Sequence, residues 1–154
     1  MKVTEILSLA SIAPLVELHT KEEIIKYMVE LAAKSGKVLD QEQALKDVME
    51  REKVLSTGIG KGIALPHAKT NSVSDFCASL TTLVQPVDFD SLDMEPVNIV
   101  ILILGPENQI AQHLKLLSKI SKIVNIEENR SKILGFQSNN DIWDFIAKVE
   151  EEEE

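Results

Sequence analysis

VNIVILIL, residues 97–104, is apolar at every position but Asn98 and rich in β-branched side chains. Successive strand side chains face opposite sides of a sheet, so a strand apolar at both parities is covered on both faces. The stretch therefore reads as the central strand of the molecule, and Gly105-Pro106 stops it. Working outward, Phe76 to Val84 reads as a second strand. It places Phe76, Ala78, Leu80, Thr82 and Val84 on one face and Cys77, Ser79, Thr81 and Leu83 on the other. Thr20-Lys21-Glu22-Glu23 has the form of a capping box and opens a helix to about Lys34, ended by Gly36. Asp40 caps a second helix, with Ala44, Leu45, Val48 and Met49 on its inner stripe, reaching Arg51 or Glu52. A third covers about Gln109 to Asn125, and two more follow near Glu127–Leu134 and Asp141–Glu151. The fold class expected is α/β: a single domain with a mixed parallel/antiparallel β-sheet flanked by helices on both faces.

Composition narrows the class of function. A chain of 154 residues makes one domain of ordinary size, and its longest apolar run, Ile99 to Leu104, is far short of a membrane span. Direct membrane insertion is not expected, and MKVTEILSLAS lacks the sustained apolar core of a secretion signal. A single cysteine, Cys77, fits a reducing cytoplasm. Of the net charge of −9, five negatives come from Glu150 to Glu154, which read as an acidic tail at a solvated helix end beyond a domain at 1–149. Acidity argues against nucleic acid as a partner.

The chemistry points to STGIGKGIALPHAK, residues 56–69. Gly58, Gly60 and Gly62 allow a backbone that turns N–H groups toward an anion. Ile63-Ala64-Leu65 is extended, and Pro66 stiffens the approach to His67. A flexible, anion-friendly loop thus runs into a rigid element bearing one imidazole. Neither familiar nucleotide motif fits: Gly60-Lys61 is followed by Gly62 rather than Ser or Thr, and the glycines lead to a proline rather than a helix. Neutral imidazole attacks phosphorus at physiological pH without a metal, and the labile P–N bond lets the group be passed on. On the residues alone, a loop histidine bonded to a backbone carbonyl remains the alternative.

Taken together, Arg51-Glu52, the 56–69 loop, DFDSLDMEPVNIVILILGPE at 88–107 and QHLKLLSKI at 112–120 resemble the fructose/mannitol-type (type 2) IIA component of the bacterial phosphoenolpyruvate-dependent sugar phosphotransferase system. The likeness spans about residues 5–148, with the loop its most specific part. It implies that residues 1–149 form a type 2 IIA domain and that His67 is the phosphoryl acceptor, through Nε2. It also implies that Arg51 stands near the phosphate and that His113 supports His67. For Arg51 the competing reading is a cation in the last turn of a helix, opposite the helix dipole. For His113 it is a hydrogen-bonded core residue sharing a stripe with Ile110, Leu117, Ile120 and Val124. Gly58 belongs to the phosphate-facing loop, while Ser56 and Thr57 either bond the phosphate or shape the turn.

The implied reaction is receipt of a phosphoryl group from phosphorylated HPr and its delivery to a IIB component, with sugar entering through a separate membrane IIC. Relatives of the nitrogen-regulatory type share the fold and the phosphohistidine but act by binding other proteins, which gives the second reading. No cofactor is called for, and His19, His67, His113 and Cys77 show no metal-ligand spacing. His19 reads as a surface residue and Cys77 as a small apolar strand residue.

Overall fold

Thr20, Asp40 and Ser138 each accept a hydrogen bond from the backbone three residues on, at 3.1 to 3.2 Å, and so start three of the helices. The computed structural model describes residues 1–153. Its helices are α1 (Val3–Ile6), α2 (Lys21–Ala33), α3 (Gln41–Val54), α4 (Ile110–Val124), α5 (Glu127–Gly135) and α6 (Asn139–Glu152). The strands are β1 (Ile12–Val16), β2 (Gly58–Gly60), β3 (Ile63–Ala64), β4 (His67–Lys69), β5 (Cys77–Val87) and β6 (Val97–Gly105).

One mixed sheet results, in the order β1-β5-β6-β3-β2, with β4 also paired to β6. β5 and β6 are antiparallel, whereas β1 runs parallel to β5, and β3 and β4 run parallel to β6. Ile63 lies opposite Ile99 and His67 opposite Ile103, so β3 and β4 hold one register along β6. They are two parts of an extended run interrupted at Leu65-Pro66, where the Pro66 carbonyl still accepts the Ile103 N–H at 3.1 Å.

The central strand is covered on both faces, as its composition requires. Ile99, Ile101 and Ile103 pack with α1, α4, α5 and α6; Val100, Leu102 and Leu104 pack with α2 and α3. Cys77, Ser79 and Thr81 on β5 are buried as well, and the Ser79 hydroxyl donates to the Met28 carbonyl at 2.8 Å. The Thr81 hydroxyl likewise donates to the Ala13 carbonyl, and such acceptors let a polar residue occupy an interior strand.

Several features depart from the sequence reading. β5 runs three residues past Val84, to Val87. β1 had no strand signal: it contains Pro14, Leu15 adopts a φ of 57°, and the register with β5 shifts between Ala13 and Val16. On α4 the buried stripe is His113, Leu116, Ile120, Ile123 and Val124, while Ile110 is 54% exposed. Glu150, grouped by sequence with the acidic tail, is buried; its carboxylate accepts the N–H groups of Val3 at 2.6 Å and Thr4 at 2.9 Å. It supplies the anion that the first turn of α1 needs. Glu151 to Glu153 are exposed, and Glu154 lies outside the described residues.

Candidate active site

Two imidazoles meet at the junction of β4 and α4. β4 carries His67 alongside the end of β6, and α4 starts just beyond that strand with His113 in its first turns. The ring centroids are 5.4 Å apart, tilted by 54°, and Phe76 lies 6.1 Å behind His113. Gly105 makes room for this ring stack: a Cβ there would stand 2.2 Å from Phe76 Cε1.

The two rings are held in opposite ways. His67 is half-buried, and its Nδ1 lies 2.8 Å from the Leu65 carbonyl oxygen. A carbonyl only accepts, so Nδ1 carries the proton and the neutral ring presents its lone pair at Nε2. Burial pushes the His67 pKa below 6.5; the Leu65 carbonyl opposes this, the Arg51 charge adds to it, Glu52 opposes and Lys69 adds. The ring is therefore neutral and nucleophilic at neutral pH. His113 is 3% exposed, and neither ring nitrogen has a hydrogen-bond partner among the described residues. Burial, then the proximity of His67 and Lys69, lowers its pKa from 6.5 to about 4. Buried polar atoms are normally paired, so two partnerless ring nitrogens beside His67 set His113 apart from an ordinary core histidine.

Arg51 lies in the last turn of α3, where its guanidinium donates to the Leu55 carbonyl at 3.1 Å while its charge acts on His67. The loop residues are turned elsewhere. The Ser56 hydroxyl donates to the Phe89 carbonyl at 2.9 Å and accepts the Gly58 N–H at 3.0 Å. Thr57 is buried, with its hydroxyl and N–H both donated to Glu52. The glycines answer to packing: a Cβ on Gly58, Gly60 or Gly62 would lie 2.3, 3.0 or 2.9 Å from Ser91, Asp93 or Asn98. One face of the glycine hairpin thus seats on the segment leading into β6, a reason for glycine that the sequence did not disclose.

Two charged neighbours of His67 escaped the sequence reading as site groups. Lys69 stands two residues after His67 on β4, hence on the same face, and its charge acts on both imidazoles. Glu52 continues the buried series of Ala44 and Val48 at a spacing of four, and a carboxylate on that stripe was the available signal.

The remaining candidates lie outside this constellation. His19 is exposed beside Glu17 at 3.8 Å. Cys77 is fully buried, and burial pushes its thiol up to about 11, so it packs as an inert side chain. Among the described residues no helix is long and apolar enough to cross a membrane, and no group of three His, Cys, Asp or Glu side chains is placed to hold a metal.

The profile of the family described as phosphoenolpyruvate-dependent sugar phosphotransferase system, EIIA 2, matches residues 5–149. The chain is 36% identical over 132 residues to the PTS system fructose-specific EIIA component of Haloferax volcanii, covering 86% of each chain. Its fold is similar to nitrogen regulatory protein IIA-Ntr of Neisseria meningitidis, with a TM-score of 0.87 at 27% identity over 94% of this chain and 98% of that one. It is also similar to Escherichia coli IIAMTL, solved in complex with phosphorylated IIBMTL, with a TM-score of 0.79 at 20% identity over 92% and 99% of the two chains. With a family match across nearly its whole length, the chain belongs to the type 2 EIIA family of the phosphoenolpyruvate-dependent sugar phosphotransferase system.

Proposed function

We propose that the protein is a cytoplasmic phosphocarrier that takes a phosphoryl group from the phosphohistidine of HPr onto His67 Nε2 and passes it to a IIB component. The observation that carries this reading is the Nδ1 contact to the Leu65 carbonyl, which leaves Nε2 as the attacking atom beside His113. The Nε2 lone pair forms the new N–P bond as the donor's N–P bond breaks, and the donor imidazole keeps that electron pair. Nδ1–H stays bonded to Leu65 throughout. Phosphoryl transfer asks a protein mainly for alignment and for charge beside the equatorial oxygens. Arg51 and Lys69 supply positive charge, and His113 supplies an unpaired ring nitrogen that turns donor toward a phosphoryl oxygen. The same steps in reverse order hand the group to IIB, and sugar is phosphorylated as it enters through a membrane IIC component.

The experiment is intact-protein mass spectrometry after incubation with phosphoenolpyruvate, enzyme I and HPr. The parent is expected to gain one phosphoryl group and His67→Ala none; a folded parent that gains none, with HPr competent on another IIA protein, overturns the proposal. The higher identity to the fructose-specific relative favours sugar transfer. The likeness to the nitrogen-regulatory structure supports a second reading, in which phosphorylation state governs binding to another protein. Transfer from phosphorylated protein to fructose- or mannitol-type IIB separates the two: turnover supports transport, and its absence with all IIB proteins tried supports regulation.

A further inference from the structure

Glu52 is 7% exposed in the last turns of α3, and no step above uses it. A carboxylate so far removed from water stays ionised only when it is paired and hydrogen-bonded. Glu52 is both. Lys21 Nζ, at the start of α2, lies 2.8 Å from Oε2. The Thr57 N–H donates to Oε2 at 2.8 Å and the Thr57 hydroxyl donates to Oε1 at 2.5 Å. Lys21 is itself held, 4.9 Å over the Phe89 ring and 3.6 Å from the exposed Asp90 carboxylate.

From Thr57 the contacts continue to the imidazole. The Thr57 carbonyl accepts the Leu65 N–H at 2.9 Å, and the Leu65 carbonyl accepts from His67 Nδ1 at 2.8 Å. At Thr57 and again at Leu65 the donating and accepting groups belong to different peptide units joined through a saturated Cα. The series therefore transmits position rather than polarisation, while the Glu52 charge acts on the ring through space.

We propose that Glu52 is a positioning residue for His67: anchored by Lys21, it fixes Thr57, and through Thr57 and Leu65 it fixes the tautomer and aim of the imidazole. This rests on reading His67 as the phosphoryl acceptor. A carboxylate orients a catalytic histidine directly in the familiar triads; here the carboxylate lies one loop away and a backbone carbonyl makes the final contact. The charged and titratable groups around His67 are Arg51 and Glu52 from α3, Lys69 from β4 and His113 from α4. Of the side-chain charges acting on it, that of Glu52 favours the protonated ring.

The test is imidazole ¹⁵N NMR across pH on the unphosphorylated protein, alongside transfer rates from phosphorylated HPr. Glu52→Gln is expected to raise the His67 population protonated at Nε2, to lower the His67 pKa, and to slow transfer about 2- to 10-fold, the equivalent of one net hydrogen bond. Thr57→Val is expected to shift the tautomer in the same direction, and Thr57→Ser to restore the parent balance. The Thr57 pair decides the matter if Glu52→Gln does not fold. Folded Glu52→Gln or Thr57→Val proteins with the parent's tautomer balance overturn the proposal, whatever their stability. The NMR readout does not depend on phosphorylation, so a parent that accepts no phosphoryl group sinks the phosphocarrier reading and leaves this test standing.

Discussion

His67 and His113 sit 5.4 Å apart and are built on opposite principles. The His67 side is a polar scaffold, in which short strands, a buried ion pair and successive hydrogen bonds fix one ring nitrogen and present the other. On the His113 side the ring is buried against Phe76, and neither nitrogen is engaged among the described residues. Under the proposed function, the difference teaches how two identical side chains acquire different tasks. A nucleophile needs its lone pair aimed, which requires a partner on the far nitrogen. A group that recognises the product must stay uncommitted until the product arrives, and that state costs stability.

The largest expected effect separates the two rings outright. His67→Asn abolishes phosphoryl addition, whereas His113→Asn slows it and leaves the label on His67; a label found on His113 by peptide mapping reverses the assignment. Next comes the His113 side. Gly105→Ala places a Cβ 2.2 Å from Phe76 Cε1 and 2.5 Å from Cδ1, forcing the Phe76 ring, which packs 6.1 Å from His113, to shift. We expect a loss of about 1–3 kcal/mol or more in urea denaturation, because close-packed rings do not yield to an added methyl. An unchanged midpoint shows that Phe76 is not wedged there.

A third prediction sets stability against function. His113→Leu removes two buried unpaired nitrogens, so it stabilises the fold by about 1 kcal/mol while slowing phosphoryl transfer. The same variant reports on pH. His113 titrates at about 4 in the fold and near 6.5 in the unfolded chain. Between those values the unfolded state binds a proton that the native state refuses, so this stability is whole above about 6.5 and is lost toward 4. His67, also lowered, acts in the same direction. His113→Leu should flatten the fall of the denaturation midpoint over this window; parallel curves for the two proteins refute the assignment. The smallest effect is Arg51→Lys, which keeps the charge but loses the planar fork, slowing transfer about fewfold with the fold intact. Equal rates leave Arg51 with only its Leu55 contact.

What the sequence disclosed follows the range of the forces involved. Caps at Thr20 and Asp40, and the apolar runs of β5 and β6, are local signals, and those elements form in the expected places, with the ends of α3 and β5 extending two or three residues further. β1 was illegible because it is only five residues long and Pro14 argues against a strand, while pairing with β5 overrides this. β2 to β4 are two or three residues long and owe their shape to pairing among themselves and with β6, so no periodicity announces them. At the site, His67 was legible from its loop, but its meeting with His113 came from family resemblance alone. The packing role of the glycines was hidden for a physical reason: freedom to bind an anion and freedom to pack closely look the same in a string of letters. Glu52 was missed because Arg51 beside it drew the reading, although its phase with Ala44 and Val48 marks a charge pointing inward.

The irregularity of β1 has a consequence for how the molecule behaves among others. It is an outermost strand of the sheet, and its free side would offer a row of unpaired amides to any passing chain. Pro14 removes one donor, and the left-handed turn at Leu15 breaks the straight run that a second strand would need in order to zip along it. Under the proposed function the protein is a relay that meets several partners briefly and must let each go. Blunting this edge against strand addition removes a route to sticking and aggregation, leaving association to surfaces that can release their partners.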